Sequence, residues 1–90
     1  METTQKIMKM RLDGIAILNQ INGMYKLKLP TEIVHLGYDR EGDVLYAHFK
    51  ANPEAIDSQI LEEDDNIIIG LDATEKIVRI TVLNASKYEW

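Results

Sequence analysis

The sequence predicts an α+β fold, with an N-terminal helix packed on an antiparallel β-meander of four to five strands. Three observations carry that reading. After Pro30 the apolar residues fall in short runs whose centres recur about every ten residues, with acidic turns between them. Connections that short leave no room for helical crossovers, so successive strands must run antiparallel. Residues 1–30 instead carry apolar positions at helical spacing, and a single open sheet needs a cover on its apolar face.

Composition bounds the possibilities further. Ninety residues make one domain near the low end for a chain that folds without staples, read here as a helical segment (1–30) and a sheet segment (31–87) of one unit. With 46% hydrophobic residues and only two prolines, the chain has the apolar content a packed core needs. The absence of cysteine excludes disulfides, thiolate zinc sites, iron–sulfur clusters and cysteine nucleophiles. Fifteen acidic against ten basic residues give a net charge of −5, which opposes direct binding to nucleic acid or anionic membrane and suits a basic partner. No apolar run is long enough to span a bilayer, and Met-Glu-Thr-Thr-Gln does not open like a secretory signal, so the expected location is the cytoplasm.

The first thirty residues admit two readings. At 100° per residue, Ile7, Met8, Met10, Ile15, Ile17, Leu18, Ile21 and Tyr25 share one broad arc, which favours a helix with Thr3 or Thr4 as N-cap and Gly23 as its stop. Arg11, Asn22 and Gly14 sit awkwardly in it. The rival is a pair of hairpins, since Asp13-Gly14 and Asn22-Gly23 are favoured hairpin dipeptides and residues 25–29 alternate with period two.

Beyond Pro30 the expected strands are 32–38, 44–50, 56–61, 66–71 and 77–83. In the first, Val34, Leu36 and Tyr38 share a face opposite Ile33, His35 and Gly37. Asp39 to Asp43 forms a tight turn in which Gly42 can supply the left-handed residue. In the second, Leu45, Ala47 and Phe49 make the apolar face, and Tyr38 and Tyr46 are expected to pack together across the hairpin. The polar Asp57, Ser58 and Gln59 mark the third strand as a sheet edge. The run 67–71 is apolar enough to be covered on both faces. The last strand buries Val78, Ile80 and Val82 and turns Arg79 and Thr81 outward.

Few residues suggest chemistry. His35 and His48 pair across the first hairpin on its less apolar face, but a metal site needs a third ligand and the nearby Asp39 and Asp43 belong to the turn. Those two aspartates fit acceptors of backbone hydrogen bonds better than a general acid–base pair. Glu62-Glu63-Asp64-Asp65 lacks the alternating ligands and glycine of a calcium loop; it reads as a solvated turn, or a place for a partner's basic side chains. Ser58 and Ser86 have no base near them in sequence, and the isolated glycines form no phosphate loop. Tyr88 and Trp90 end the chain as a docking or frayed tail. No catalytic, cofactor-binding or metal-binding residue is assigned.

At Tyr38-Asp39-Arg-Glu-Gly-Asp43-Val-Leu-Tyr46, and again at Ile77-Val-Arg-Ile80 to Leu83-Asn84-Ala-Ser86, the chain resembles a prokaryotic family catalogued as domain of unknown function 2283. The resemblance runs over about residues 33–86 and marks Tyr38, Asp39, Asp43, Tyr46, Asn84 and Ser86 as motif positions. Arg79 stands where the family often has glycine, and Gly42 where it often has alanine. The resemblance implies a small α+β domain with no established activity, of a kind suspected of pairing with a neighbouring toxin-like protein.

The functional expectation is a non-enzymatic interaction module, antitoxin-like, that neutralises a small basic protein through Glu62, Glu63, Asp64 and Asp65. A homodimer is expected as well, formed where the helix exposes part of its apolar arc. The alternative is a homo-oligomer that binds a small ligand between helix and sheet.

Overall fold

The computed structural model describes residues 13–50 and 57–88. Helix α1, Gly14–Tyr25, starts where the Asp13 carboxylate accepts a hydrogen bond from the Ala16 amide at 3.0 Å. This settles residues 14–25 as helix rather than hairpin, because Asp13-Gly14 caps a helix instead of turning a strand. The expected Thr3 and Thr4 caps, with Ile7, Met8 and Met10, lie outside the described residues.

Gly23 is not the stop. The helix runs two residues further, and Lys26 takes the left-handed conformation (φ 53°) that ends it. Asn22 Oδ1 then accepts from the Leu29 amide at 3.1 Å, fixing the exit without a glycine.

Gly14, Ile17, Leu18 and Ile21 are the buried helical residues, one stripe at three- and four-residue spacing. At Gly14 the helix comes close to the sheet: a Cβ there would lie 3.0 Å from methyl groups of both Leu36 and Leu45.

The strands are β1 (His35–Asp39), β2 (Val44–His48), β3 (Asp57–Ile60), β4 (Ile67–Leu71) and β5 (Ile77–Leu83). All neighbours are antiparallel, in the spatial order β1-β2-β5-β4-β3. β3, β4 and β5 form the expected meander, and the β1–β2 hairpin docks on the free side of β5. Burial explains that order. β5 buries every second residue (Val78, Ile80, Val82) and gains most from the centre, whereas all four residues of β3 are exposed, as an edge strand tolerates.

The core lies between α1 and one face of the sheet, where Leu45, Ala47, Ile67, Ile69, Ile80 and Val82 meet Ile17, Leu18 and Ile21. Tyr88, expected in a tail, belongs to this core at 2% exposure, held by the short 3-10 turn Ala85–Tyr88; Trp90 lies outside the described residues.

Three strand-level expectations change. β1 starts at His35, so alternation fails before it: Ile33 packs on the core and Val34 is exposed. β4 is not covered on both sides, since Ile68 is only half-buried. Register also separates the two tyrosines. Tyr38 pairs with Leu45 on the core side, while Tyr46 pairs with Gly37 on the opposite face.

Candidate functional site

Three aspartates organise the polar surface. In the β1–β2 turn, Asp43 and not Gly42 takes the left-handed conformation (φ 55°), and no described glycine has a positive φ. Aspartate tolerates that region because its short side chain finds local partners. Here the carboxylate accepts from the Tyr38 hydroxyl at 2.6 Å, the Ser86 hydroxyl at 2.6 Å and the Ser86 amide at 3.0 Å, while its backbone carbonyl accepts from the Ala85 amide. Tyr38, Asp43 and Ser86, three of the positions on which the resemblance was read, are thereby gathered into one knot between the first hairpin and the end of β5. Burial alone would push the Asp43 carboxyl up; the Ser86 and Tyr38 bonds outweigh it and hold it below the usual range.

The remaining motif positions serve turns and packing. Asp39 accepts from the Glu41 amide at 3.2 Å, as an Asx-turn does. Asn84, also left-handed at φ 54°, donates to Asn66 Oδ1 at 3.0 Å. Tyr46 lays its ring over Gly37, where a Cβ would come within 2.6 Å of the tyrosine hydroxyl.

The second aspartate, Asp64, sits inside the acidic run expected to be solvated, yet it faces inward. Its Oδ2 accepts from the hydroxyls of Tyr25, at 3.0 Å, and of Tyr88, in a very short contact, and its Oδ1 accepts from the Asn66 amide at 3.0 Å. One carboxylate thus joins the end of α1, the β3–β4 turn and the C-terminal turn. Burial would raise the Asp64 carboxyl, but Tyr88, Asn66 and Tyr25 together lower it. Burial and then the Asp64 partnership push both tyrosine hydroxyls up. Glu62, Glu63 and Asp65 remain exposed around a groove of about 700 Å³ bordered by Met24, Tyr25 and Tyr88.

The third, Asp72, shapes the β4–β5 turn. Its Oδ1 accepts from the Thr74 hydroxyl and from the Thr74 and Lys76 amides, and Lys50 pairs with Oδ2 at 3.2 Å. The Thr74 hydroxyl and Lys76 amide lead in holding its carboxyl far below the usual range.

His35 and His48 are register partners on the outer face with ring centroids 5.7 Å apart, as their positions suggested. Among the described residues no group of three or more potential ligands gathers around a metal position. Arg79 donates to Ser58 Oγ at 3.2 Å, and register places Gly70 of β4 between them, a position with no side chain in the way. A second groove, about 570 Å³ and mostly apolar, opens between the chain after α1 and the sheet, lined by Leu27, Phe49, Ile69 and Leu71. No described helix is long and apolar enough to cross a membrane.

The Asp64 cluster escapes sequence reasoning because its partners lie 39 and 24 residues away. The acidic run signalled only charge.

The family model described as Protein of unknown function (DUF2283) matches residues 35–86, which hold all five strands and the Asp43 knot. Comparison with curated proteins and with solved structures returned no match. The match spans more than half of the chain, so the chain belongs to the DUF2283 family.

Proposed function

We propose that the protein is a non-catalytic interaction module whose acidic end receives basic side chains of a partner protein. The observation that carries this reading is the division of labour within residues 62–65. Asp64 is spent on Tyr25, Tyr88 and the Asn66 amide, which anchors the turn. Glu62, Glu63 and Asp65 are left exposed on that anchored turn, with no hydrogen bond or ion pair among the described residues.

Carboxylates held in place recognise a basic surface at lower entropic cost than carboxylates on a loose loop. A small basic protein, neutralised in the manner of an antitoxin when its lysines and arginines are covered, is the partner class this fits. Family membership carries no sign of catalytic activity.

The test is capture of partners from the host at native expression, in parallel with the variant Glu62→Lys, Glu63→Lys, Asp65→Lys. The expected result is one small basic protein recovered at comparable amount, released by salt and absent from the variant, whose circular dichroism stays unchanged. Equal recovery by the variant would overturn the proposal. The 570 Å³ apolar groove favours a second reading, a small-ligand carrier, because its size falls within the usual range for such sites.

A further inference from the structure

α1 covers one face of the sheet; among the described residues nothing covers the other. An antiparallel sheet with one wet face normally alternates apolar-in with polar-out. This open face departs from that pattern along its middle row, where Gly37, Tyr46, Thr81, Ile68 and Ile60 stand side by side in register across all five strands. Ile60 is 62% exposed and Tyr46 36%. Two glycines on this face are spanned by neighbouring side chains: the Tyr46 ring occupies the space over Gly37, and Arg79 reaches past the register position of Gly70 to Ser58.

Charge is distributed unevenly on either side of that row. Toward the β1–β2 turn stand Asp39, Val44 and Leu83; toward the other end stand His35, His48 and Arg79. We infer that this open face is the contact surface of a homodimer, with a second copy of the chain laid against it face to face.

A twofold axis running along the middle row satisfies both features. It stacks each apolar residue near its own copy, as an isologous contact requires, and lays Asp39 over His35 of the partner subunit, twice per dimer. An axis along the strands would set like-charged ends over one another. Five strands about 4.8 Å apart and about 17 Å long present roughly 400 Å² in projection. Side-chain relief enlarges this toward the ~800 Å² per partner of a standard interface, so the dimer belongs at the small end and comes apart on dilution. This surface is distinct from the acidic turn, and differs from the helix arc from which a dimer was first expected, because the buried stripe of α1 is already occupied by the sheet.

Sedimentation equilibrium of the full chain over a wide concentration range tests the inference. The expected mass approaches twice 10.3 kDa at high concentration and falls toward 10.3 kDa on dilution. Ile60→Lys, at the sheet edge where folding tolerates it, shifts the dissociation constant up at least tenfold. Asp39→Lys and His35→Asp each weaken self-association by a similar factor, and mixing the two restores a dimer, because each then meets its complement; that rescue also shows both variants are folded. A wild-type chain monomeric at millimolar concentration overturns the inference, as does a dimer whose affinity none of the three substitutions changes.

Discussion

Replacing Asp43 tests the knot that joins Tyr38 and Ser86 most directly. Its carboxylate holds three hydrogen bonds, two of them at 2.6 Å, the length of charge-assisted O–H···O⁻ contacts. Bonds to a charged group contribute roughly 1.5–3 kcal/mol each in full burial. The knot is only partly buried, water can replace some of the partners, and the three bonds together contribute about 2 kcal/mol. Alanine at φ 55° adds about 1 kcal/mol of left-handed strain, which asparagine largely avoids. Asp43→Ala is therefore expected to cost about 3 kcal/mol and Asp43→Asn about 1 kcal/mol, the amide keeping one acceptor oxygen. A domain of this size has roughly 5–13 kcal/mol in total, so alanine lowers Tm by about 12–20 °C, read by thermal and urea denaturation followed by circular dichroism. A Tm drop below about 4 °C for alanine would refute the knot, and equal losses for alanine and asparagine would refute the backbone part of the reasoning.

Two further predictions rest on the same geometry. Asp43, Asp64 and Asp72 all have folded-state carboxyls below their unfolded value, so the stability they supply is complete above about pH 4 and is lost as pH falls through the folded values. Tyr25 and Tyr88 are raised, so their contribution is complete below about pH 10 and is lost as pH rises beyond it. Melting temperature should thus be level between about pH 5 and 9 as far as these groups go, with the phenolate absorbance of Tyr25 and Tyr88 appearing above the usual tyrosine range; a Tm that climbs on acidification below pH 4 would contradict the assignment. At Gly37, an added methyl would overlap the Tyr46 ring, so Gly37→Ala should destabilise by about 1 kcal/mol and the cost should vanish in the Tyr46→Ala background, a coupling measured by a double-mutant cycle. Equal costs in both backgrounds would place the strain elsewhere.

The sheet was legible because its signal is local. Alternation with period two marks Val78, Ile80 and Val82 without reference to any partner, and the acidic turns bound each strand. The helix was legible for the same reason at Ile17, Leu18 and Ile21. Two kinds of expectation failed: those that depend on two distant segments, and those that assigned a positive φ to the nearest glycine. Strand order is fixed by which strand gains most from being central, a comparison among all five that no single window contains. Gly23 looked like a stop because glycine tolerates a positive φ best, yet Lys26 carries it, with Asn22 holding the chain beyond. The same substitution of side-chain bonding for glycine recurs at Asp43 in place of Gly42. Asp64 was read as solvated because charge within a run of four acids predicts exposure, and only the fold brings Tyr25 and Tyr88 to it.

One carboxylate hub works within the matched segment and the other joins that segment to the rest of the chain. Asp43 ties residues 38 and 86, both inside the matched segment, and closes the sheet unit upon itself. Asp64 lies inside that segment but takes its hydroxyl partners from Tyr25 and Tyr88, both outside it, so it adds a polar tie between the matched segment and the helix and chain end that pack on it. Tyr38, Asp43 and Ser86 are engaged in closure, so substitutions there report folding first. The biological role is therefore best sought where side chains are held in place by the fold without holding it: Glu62, Glu63 and Asp65 around the anchored turn, and Ile60 on the open face. A substitution at these positions that abolishes the role while leaving Tm unchanged separates recognition from stability, which no change at Asp43 or Ser86 can do.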